Sequence, residues 1–256
     1  MNLHLILISV LEGLTEFLPI SSTAHLIIIS KLMSVDLTDA YVKFYLLFIQ
    51  LGALLAGILL FSKSVLGNKK NFINIVISFV PTAVLGLVFY KLFKHLLEGN
   101  FVLMALMLFV GGIIFIYIEK KYLKTKEVSA KSEITHTDAF IIGVVQAIAI
   151  IPGVSRSGAT IVAGIFRNIE KRVIIEYTFL LALPTLGAAV VYDFYKSREV
   201  FAQITSYSEL TCGFAVAFVV GYATLFFLKK YLPKISLTWF GYYRIALALV
   251  ILIVLS

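Results

Sequence analysis

The sequence predicts an all-α integral membrane protein. Of its 256 residues, 61% are hydrophobic and only 14% are charged, and the mean hydropathy is +1.01. Several apolar runs are long enough to supply the roughly 20 helical residues that cross a hydrocarbon core of about 30 Å. A transmembrane barrel would instead show alternating segments of about ten residues. The composition therefore indicates a polytopic helical protein.

Six apolar runs are predicted to span the bilayer. They extend over Phe44 to Phe61, Phe72 to Phe93, Phe101 to Ile118, Val173 to Val191, Leu210 to Leu228 and Leu237 to Leu255. The formal net charge of +8 does not indicate a nucleic-acid partner, because the sequence has no arginine-rich tail and no basic stretch interleaved with aromatic residues. In a membrane protein this excess of lysine is expected in cytoplasmic loops.

Two further segments are apolar but interrupted. Leu3 to Leu18 and Ser22 to Leu32 are separated at Pro19, and a similar break is expected at Pro152 and Gly153. Non-helical backbone at membrane depth is tolerated only where protein or a water-filled cavity surrounds it. We therefore interpret both segments as re-entrant helix–loop–helix hairpins, each followed by three transmembrane helices.

The two halves of the chain are predicted to be repeats of each other. At a constant offset of 134 positions Ser21 falls on Ser155, Glu12 falls on Gln146, and the apolar runs coincide. Internal repeats are common in membrane transport folds. Because a re-entrant hairpin crosses nothing and three spans cross once, the second half is expected to have inverted topology.

The whole chain, 1–256, is predicted to form a single membrane domain, with one repeat over about 1–122 and the other over about 135–256. The lysine-rich stretch Lys120 to Asp138 is the expected linker. Loops on the linker's side carry fourteen Lys and Arg residues, whereas the opposite side, with both termini, carries six. The positive-inside rule then places the linker in the cytoplasm and both termini outside. The two hairpins would enter from opposite faces and meet near the midplane.

The first hairpin carries two carboxylates. Glu12 and Glu16 are four residues apart and therefore share one helical face. Buried carboxylates resist desolvation and repel each other, so they need a cation, a proton or an arginine nearby. A structural alternative is a glutamate pair that faces water at a helix end. We favour a functional pair, because another polar cluster follows directly in the sequence.

That cluster is the sequence Ser-Ser-Thr-Ala-His from Ser21 to His25. Serine at the start of a helix caps free backbone N–H groups, and the same groups with the helix dipole can bind an anion. Capping alone would need only one of Ser21, Ser22 and Thr23. His25 lies one turn after Ser22, and a hydroxyl beside an imidazole is an arrangement that activates a nucleophile. A lone structural histidine is the alternative.

The second hairpin supplies donors for a phosphate group. Gly153 permits a tight turn, and Ser155 is expected to cap the helix that follows. Arg156 offers a rigid fork of donors that suits phosphate oxygens. Ser157 and Thr160 are predicted to share a broad helical face with it. Arg156 could instead form a buried ion pair with a glutamate of the first hairpin, and the two roles are compatible.

Three residues within the predicted spans are harder to assign. Gln50 and Pro184 either line the site or only kink their helices. Arg244 is expected to pair with a carboxylate or to extend towards the interface. Ionisable residues at membrane depth indicate function by default, so the sequence as a whole predicts one anion-handling site between the two hairpin tips.

These residues carry a family resemblance. The sequence Glu-Gly-Leu-Thr-Glu-Phe-Leu-Pro-Ile-Ser-Ser-Thr-Ala-His, which begins at Glu12, resembles the first signature of the undecaprenyl-diphosphatase family, the bacitracin-resistance type of integral membrane phosphatase. Pro-Gly-Val-Ser-Arg-Ser-Gly-Ala-Thr, which begins at Pro152, resembles the second. The likeness extends over nearly the whole chain. Ala24 departs from the family pattern, in which glycine usually precedes the histidine.

The resemblance implies hydrolysis of undecaprenyl diphosphate to undecaprenyl phosphate and phosphate. This reaction recycles the lipid carrier for peptidoglycan synthesis, with consequences for cell shape and for resistance to the antibiotic bacitracin. The resemblance also implies a divalent cation, Mg²⁺ or Ca²⁺, and a site that opens to the outer face of the cell membrane. The family's functional residues match Glu12, Glu16, Ser22, His25 and Arg156. The sequence does not specify an oligomeric state, and a homodimer is compatible with it.

The expected mechanism is metal-assisted hydrolysis of a phosphoanhydride. Glu12 and Glu16 would hold the cation with waters and substrate oxygens. Ser22 or a water would attack the terminal phosphorus with His25 as general base, and direct attack by His25 is an alternative. Further phosphate contacts are predicted from Ser21, Thr23, Gly153, Ser155, Ser157 and Thr160.

Two other classes of function fit parts of the pattern. Discontinuous helices that meet around an anion are also typical of transporters and lipid flippases. The combination of glutamate, serine and histidine favours an enzyme, because translocation alone does not need it. A structural membrane scaffold ranks below both, since buried ionisable groups usually serve a function.

Overall fold

The computed structural model describes residues 3–66, 69–97, 100–123, 130–196 and 207–255, without the side chains of 63–66, 90–97, 123 and 255. In these ranges the regular structure is helical, and extended pairing is confined to one isolated bridge between Lys131 and Ile169. The middle of the predicted linker and Arg198 lie outside the described residues. The charge asymmetry of the loops therefore stays a prediction.

The helices follow the apolar pattern of the sequence closely. In chain order they are α1 (Leu3–Thr15), α2 (Ser22–Leu32), α3 (Ala40–Leu66), α4 (Lys69–Leu97), α5 (Phe101–Ile118), α6 (His136–Gln146), α7 (Arg156–Phe166), α8 (Lys171–Lys196), α9 (Tyr207–Tyr231) and α10 (Leu237–Leu255). A π turn extends α5, and short 3₁₀ turns follow α6 and α9. Six of these helices, α3, α4, α5, α8, α9 and α10, are long and apolar enough to cross a membrane. The six predicted spans are therefore confirmed.

Both interrupted segments fold as two short helices with a break between them. The first helix is shorter than predicted, because α1 ends at Thr15 and not at Leu18. The residue before a proline is disfavoured in helical conformation, and the chain leaves the helix in a tight turn ahead of Pro19. In the second segment α6 tightens into the 3₁₀ turn Ala147–Ile150 before the break.

The two halves share one order of elements, in which two short helices precede three long ones. Among the residues that the structure describes, four that are not glycine have positive φ, and they form two pairs that are each 134 positions apart: Ser21 (69°) with Ser155 (48°), and Ser34 (54°) with Asn168 (60°). Such a backbone conformation is uncommon for residues with a side chain. The repeat offset read from the sequence thus coincides with the unusual backbone positions in the structure.

Each hairpin packs against a long helix of the other half. Helix α1 lies along α9, and α6 lies along α4, while α9 also packs on α3 and α10 packs on α5. Small residues allow the close approach: a Cβ atom added to Gly13 of α1 would lie 2.8 Å from the backbone nitrogen of Gly221 in α9. The halves are therefore interleaved, and neither hairpin is held by its own half alone.

A buried carboxylate connects the start of α6 with the end of α7. Asp138 and Thr135 form a capping box at the start of α6, and Asp138 Oδ1 accepts a hydrogen bond of 2.8 Å from Arg167, which follows α7. Lys131 also contacts this carboxylate at 3.2 Å. Although desolvation alone would raise the pKa of Asp138, the hydrogen bonds from Thr135 and Arg167 lower it to about 2.

Candidate active site

The breaks of the two hairpins meet inside the protein. Ser157, in the first turn of α7, donates a hydrogen bond of 2.9 Å to the carbonyl oxygen of Leu18 in the first break. Arg156 Nη2 lies 3.1 Å from Glu16 Oε1. The predicted contact between the two polar clusters is thus present, although 140 positions separate Glu16 from Arg156 in the chain.

Glu16 is the centre of this junction. Its Oε1 atom accepts from Arg156, and its Oε2 atom accepts a hydrogen bond of 2.5 Å from the Ser22 hydroxyl. The Glu16 side chain is 8% exposed and that of Arg156 is 17% exposed, so the pair is largely screened from solvent but still reachable. A charge-assisted hydrogen bond of this length orients the Ser22 oxygen firmly.

Helix α8 provides further hydrogen-bond acceptors for Arg156. The Nη1 atom of Arg156 lies 3.3 Å from the Ala182 carbonyl oxygen and 3.4 Å from the Thr185 hydroxyl. Pro184 lies between these two residues within α8 and removes one backbone donor from the helix. Ala182 and Thr185 therefore line the site, whereas Pro184 lies beside the apolar side chains of Phe79 and Leu183.

Glu12 lies one turn before Glu16 and is fully buried. Neither of its carboxylate oxygens has a hydrogen-bond partner among the described residues. Its carboxylate is close enough to the charges of Glu16 and Arg156 to be repelled by the first and attracted by the second, so all three belong to one charge cluster. An orphaned, buried carboxylate is costly, and hard oxygen ligands of this kind suit Mg²⁺ or Ca²⁺. Among the described residues no group of three or more acidic, histidine or cysteine side chains could hold a metal ion, so a cation at Glu12 would also need waters and substrate oxygens as ligands.

The two helices that start at the breaks differ in how their N-termini are satisfied. The Ser155 hydroxyl accepts from the Gly158 backbone nitrogen at 3.2 Å and caps α7, as predicted. Ser21 occupies the same position before α2 but makes no side-chain capping hydrogen bond. The first turn of α2 thus keeps backbone donors for another acceptor, and the helix dipole favours an anion there.

Both ring nitrogens of His25 bind groups other than Ser22. Its Nδ1 atom lies 2.7 Å from the carbonyl oxygen of Ser21, which can only accept, so Nδ1 carries a proton. Its Nε2 atom lies 2.7 Å from the hydroxyl of Tyr243 in α10. The two rings are almost parallel, at 5°. The predicted hydroxyl–imidazole pair is therefore replaced by a Ser22–Glu16 pair, with His25 held one turn away.

The other predicted phosphate ligands occupy different environments. Thr23 is exposed in the first turn of α2, and Gly153 has a φ of 94° in the second break. Thr160 is fully buried, and its hydroxyl lies within 3.2 Å of two acceptors, Gln146 Oε1 and the Arg156 carbonyl oxygen, to one of which it donates its proton. Ser157 bridges the hairpins. The hydroxyls of Ser157 and Thr160 are thus already engaged in contacts that hold the second hairpin together.

Sequence reasoning missed the contribution of α10. Tyr243 binds His25, and no pattern marked this tyrosine among the thirteen in the chain. The expectation that Arg244 pairs with a carboxylate or extends to the interface is wrong. Arg244 is 2% exposed, and its four hydrogen bonds to other described residues all go to backbone carbonyl oxygens. An arginine in the middle of an apolar span was the available signal, but its partners could not be read from the sequence.

Known proteins share the sequence of this chain over nearly its whole length. The model of the family described as bacitracin resistance protein BacA matches residues 5–250. An undecaprenyl-diphosphatase of Sulfurihydrogenibium sp. is 39% identical over 249 residues, which cover 97% of each chain. A protein of the same name from Campylobacter jejuni subsp. jejuni is 38% identical and covers 97% of this chain and 92% of its own. One from Aquifex aeolicus is 38% identical, with 96% and 95% covered.

These matches include both interrupted segments and all six long helices, so they extend over the whole of the arrangement described above. Each of these relatives is 38% or 39% identical to this chain over at least 92% of its own length. The chain therefore belongs to the bacitracin resistance protein BacA family.

Proposed function

We propose that this protein hydrolyses undecaprenyl diphosphate to undecaprenyl phosphate and inorganic phosphate. The observation that carries this proposal is the Ser22–Glu16–Arg156 cluster at the junction of the two helix breaks. It combines a hydroxyl, a carboxylate that contacts it and a guanidinium that suits phosphate oxygens. The names of the relatives point to the same substrate.

The diphosphate would bind where the uncapped N-terminus of α2 faces Arg156. Backbone N–H groups at a helix N-terminus and an arginine fork are preorganised donors for the charge on a phosphoryl group in transfer. The polyprenyl chain would lie among the lipid-facing sides of the helices. The diphosphate group would thus lie in a polar junction inside the protein, and the polyprenyl chain would lie in the apolar part of the bilayer.

A divalent cation would be held mainly by Glu12, because both oxygens of Glu16 already have partners. When bound, such an ion would neutralise phosphate charge and polarise the phosphoryl oxygens. Glu16 follows Glu12 by one helical turn, its backbone nitrogen donating to the Glu12 carbonyl oxygen at 3.0 Å, so Glu16 would then adjoin the ion. In this assignment both predicted glutamates take part: Glu12 binds the cation, and Glu16 contacts Ser22.

In the first step, the Ser22 oxygen would form a bond to the terminal phosphorus while the bridging phosphoanhydride bond breaks. The Ser22 proton would move to Glu16 Oε2, with which it already shares a hydrogen bond of 2.5 Å. Undecaprenyl phosphate would leave with the bridging oxygen. Arg156 would stabilise the charge on the transferred group, and this requires that its ion pair with Glu16 loosens when the anion binds.

In the second step, the oxygen of a water would form a bond to the phosphorus while the bond from phosphorus to the Ser22 oxygen breaks, and the Ser22 oxygen would take back the proton from Glu16. His25 is the candidate base, because its Nδ1 proton is fixed by the Ser21 carbonyl and its basic nitrogen is therefore Nε2. That nitrogen binds the Tyr243 hydroxyl at 2.7 Å, so the proton of the water would reach it through this hydroxyl, which would pass its own proton to Nε2 and accept the one from the water. Direct attack by water, without a serine intermediate, is the alternative for the reaction as a whole.

The inverted-repeat topology belongs to the same proposal. It is supported by the shared order of elements, by the two pairs of positive-φ residues and by the reciprocal packing of α1 on α9 and α6 on α4. Both termini and the mouth of the site would then lie on the outer face of the cell membrane. A homodimer stays a prediction.

The test is phosphate release from undecaprenyl diphosphate by protein purified in detergent, with Mg²⁺, Ca²⁺ or EDTA. We expect cation-dependent release that is lost in Glu16→Gln and in Arg156→Ala. The matched controls are Glu209→Gln, in α9, and Arg172→Ala, near the start of α8, which lie outside the cluster. Both controls should retain the release rate of the unmodified protein.

The competing function has its own signature in this assay. A transporter or flippase would bind the lipid diphosphate without releasing phosphate under any cation condition. It would instead move a labelled lipid phosphate between leaflets of a vesicle. Binding without release, in protein with unchanged thermal stability, would therefore overturn the hydrolase proposal and favour transport.

A further inference from the structure

Arg244 reaches both hairpin breaks from the last helix. Its Nη1 atom donates to the carbonyl oxygen of Pro19 at 3.2 Å, and its Nη2 atom donates to the carbonyl oxygen of Gly153 at 2.8 Å. The side chain comes from α10, which belongs to neither hairpin. A single guanidinium group thus joins two breaks that lie far apart in the sequence.

The two carbonyl groups occupy equivalent positions in the two halves. Pro19 and Gly153 are 134 positions apart, the same offset that relates Ser21 to Ser155. The planar fork of arginine presents its two terminal nitrogens side by side, so it can bind two related acceptors at once. At the position in the first half that would match Arg244 the chain has Val110, so this contact is made once, from one half only.

The guanidinium is enclosed on its other sides by α5. Arg244 also donates to the carbonyl oxygens of Leu108 and Met107, at 3.4 and 3.3 Å, and it lies 5.5 Å from the ring centroid of Phe115. A Cβ atom added to Gly111 would lie 2.3 Å from Arg244 Nη2. The absence of a side chain at Gly111 therefore makes room for the guanidinium and fixes where it lies.

We propose that Arg244 is a positioning residue that sets the distance between the two hairpin tips and thereby places Arg156 against Ser22 and Glu16. Pro19 lies three residues before Ser22, and Gly153 lies three residues before Arg156. A shift of either break would move one of these groups relative to the other. The inference rests on the proposed function, but its structural part can be tested without any turnover.

The first variant is Arg244→Lys. An ammonium group is a compact point charge and cannot present two coplanar nitrogens to Pro19 and Gly153 together. We expect kcat to fall by on the order of 100-fold, because a displacement of about 1 Å between reacting groups has that effect. KM should change less than kcat, since Arg156 and the α2 N-terminus still offer their donors to phosphate.

The second variant is Gly111→Ala, which leaves residue 244 unchanged and adds a methyl group where Arg244 Nη2 now lies. It should reproduce the loss in kcat of Arg244→Lys. Its matched control is Gly86→Ala, where the nearest atom to an added Cβ is Ile150 Cδ1 at 3.7 Å, an ordinary contact. This control should behave as the unmodified protein does.

The variant Arg167→Lys shows how far a loss of stability alone lowers kcat. Arg167 holds Asp138 at the base of the second hairpin and does not contact either break. Arg167→Lys also replaces an arginine by a lysine, and we expect it to lower thermal stability. If Arg244→Lys lowers Tm no more than Arg167→Lys does, but lowers kcat far more, then reduced stability does not account for the loss.

The readout that is independent of activity is hydrogen–deuterium exchange of backbone amides. Arg244→Lys and Gly111→Ala should accelerate exchange in both breaks, in peptides covering 16–22 and 151–158, by roughly tenfold for one or two lost hydrogen bonds. Arg167→Lys should accelerate it only near Asp138. Unchanged exchange in either break, or a kcat that follows Tm equally in both arginine variants, would overturn the proposal. If the unmodified protein releases no phosphate but the exchange results hold, the proposed function fails and the positioning role stands.

Discussion

The Ser22 hydroxyl donates a hydrogen bond of 2.5 Å to Glu16 Oε2 across the break between α1 and α2. The sequence suggested His25 as the partner of Ser22, because the two residues are one helical turn apart. Their separation along a helix does not decide the matter, since Ser22 lies in the first turn of α2 and its side chain faces back towards the end of α1. Glu16, on the far side of Pro19, is brought to it by the turn.

We predict from this pair that Ser22→Ala and Glu16→Gln both lower kcat by about 10²- to 10⁴-fold, the range typical for removal of proton transfer at the reacting group. The measurement is phosphate release at saturating lipid diphosphate. If water attacks phosphorus directly, Ser22→Ala will keep most of its turnover while Glu16→Gln will not. Equal losses in the two variants are what the serine step requires.

The hydrogen bond between Tyr243 and His25 Nε2 leads to a second prediction. Tyr243→Phe removes one hydroxyl and keeps the ring, so kcat should fall by about 2- to 10-fold, as expected for one hydrogen bond between uncharged groups. The matched control is Tyr242→Phe, because Tyr242 is the adjacent tyrosine on the same helix and is 51% exposed. A larger loss in Tyr242→Phe than in Tyr243→Phe would contradict the assignment.

The orphaned oxygens of Glu12 lead to a prediction about cation binding that needs no turnover. Mg²⁺ or Ca²⁺ should raise Tm of the unmodified protein relative to EDTA. At a cation concentration of 100 times the dissociation constant, binding adds about 2.7 kcal/mol to the free energy of unfolding. Glu12→Gln should abolish this shift. In EDTA the variant should be at least as stable as the unmodified protein, because an amide is easier to bury than an unpaired carboxylate.

The control for this measurement is Glu209→Gln, which removes a carboxylate in α9 that binds Tyr41. Its cation-dependent rise in Tm should equal that of the unmodified protein. A rise in Tm that survives in Glu12→Gln would place the cation at another site and remove the metal assignment from this carboxylate.

The carboxylate at the base of the second hairpin gives a prediction about pH. The pKa of Asp138 is lowered from an ordinary value of 3.8 to about 2, so its contribution to stability is fully present above pH 3.8 and is lost as pH falls towards 2. Asp138→Asn should therefore lower stability by about 1–3 kcal/mol at neutral pH, through loss of its charged hydrogen bonds.

The measurement is Tm of both proteins between pH 3 and 7. The difference between them should be constant from pH 7 to about pH 5 and should shrink below pH 4. Glu133→Gln is the control, because Glu133 forms an exposed ion pair with Lys70, and such pairs contribute about 0–1 kcal/mol. A difference for Asp138→Asn that grows in acid would have the wrong sign for a depressed pKa.

The sequence by itself determined the class of fold and most of the residues of the candidate site. Length and hydropathy of a run are sufficient to identify a spanning helix, because the bilayer sets the length that must be apolar. Pro19 and the Pro152-Gly153 pair marked both breaks, since backbone geometry near proline is local. The motifs around Glu16 and Arg156 carried the family resemblance, and the match over residues 5–250 confirmed it.

Only the tertiary structure decided which of these groups meet. Whether Ser22 binds Glu16 or His25, and whether Arg244 binds a carboxylate or the carbonyl groups of Pro19 and Gly153, depends on how helices distant in sequence pack. Carbonyl acceptors carry no residue-specific signal, because every residue has one. The partners of a buried arginine or tyrosine are therefore set by packing, whereas its need for partners follows from its chemistry and can be read from the sequence.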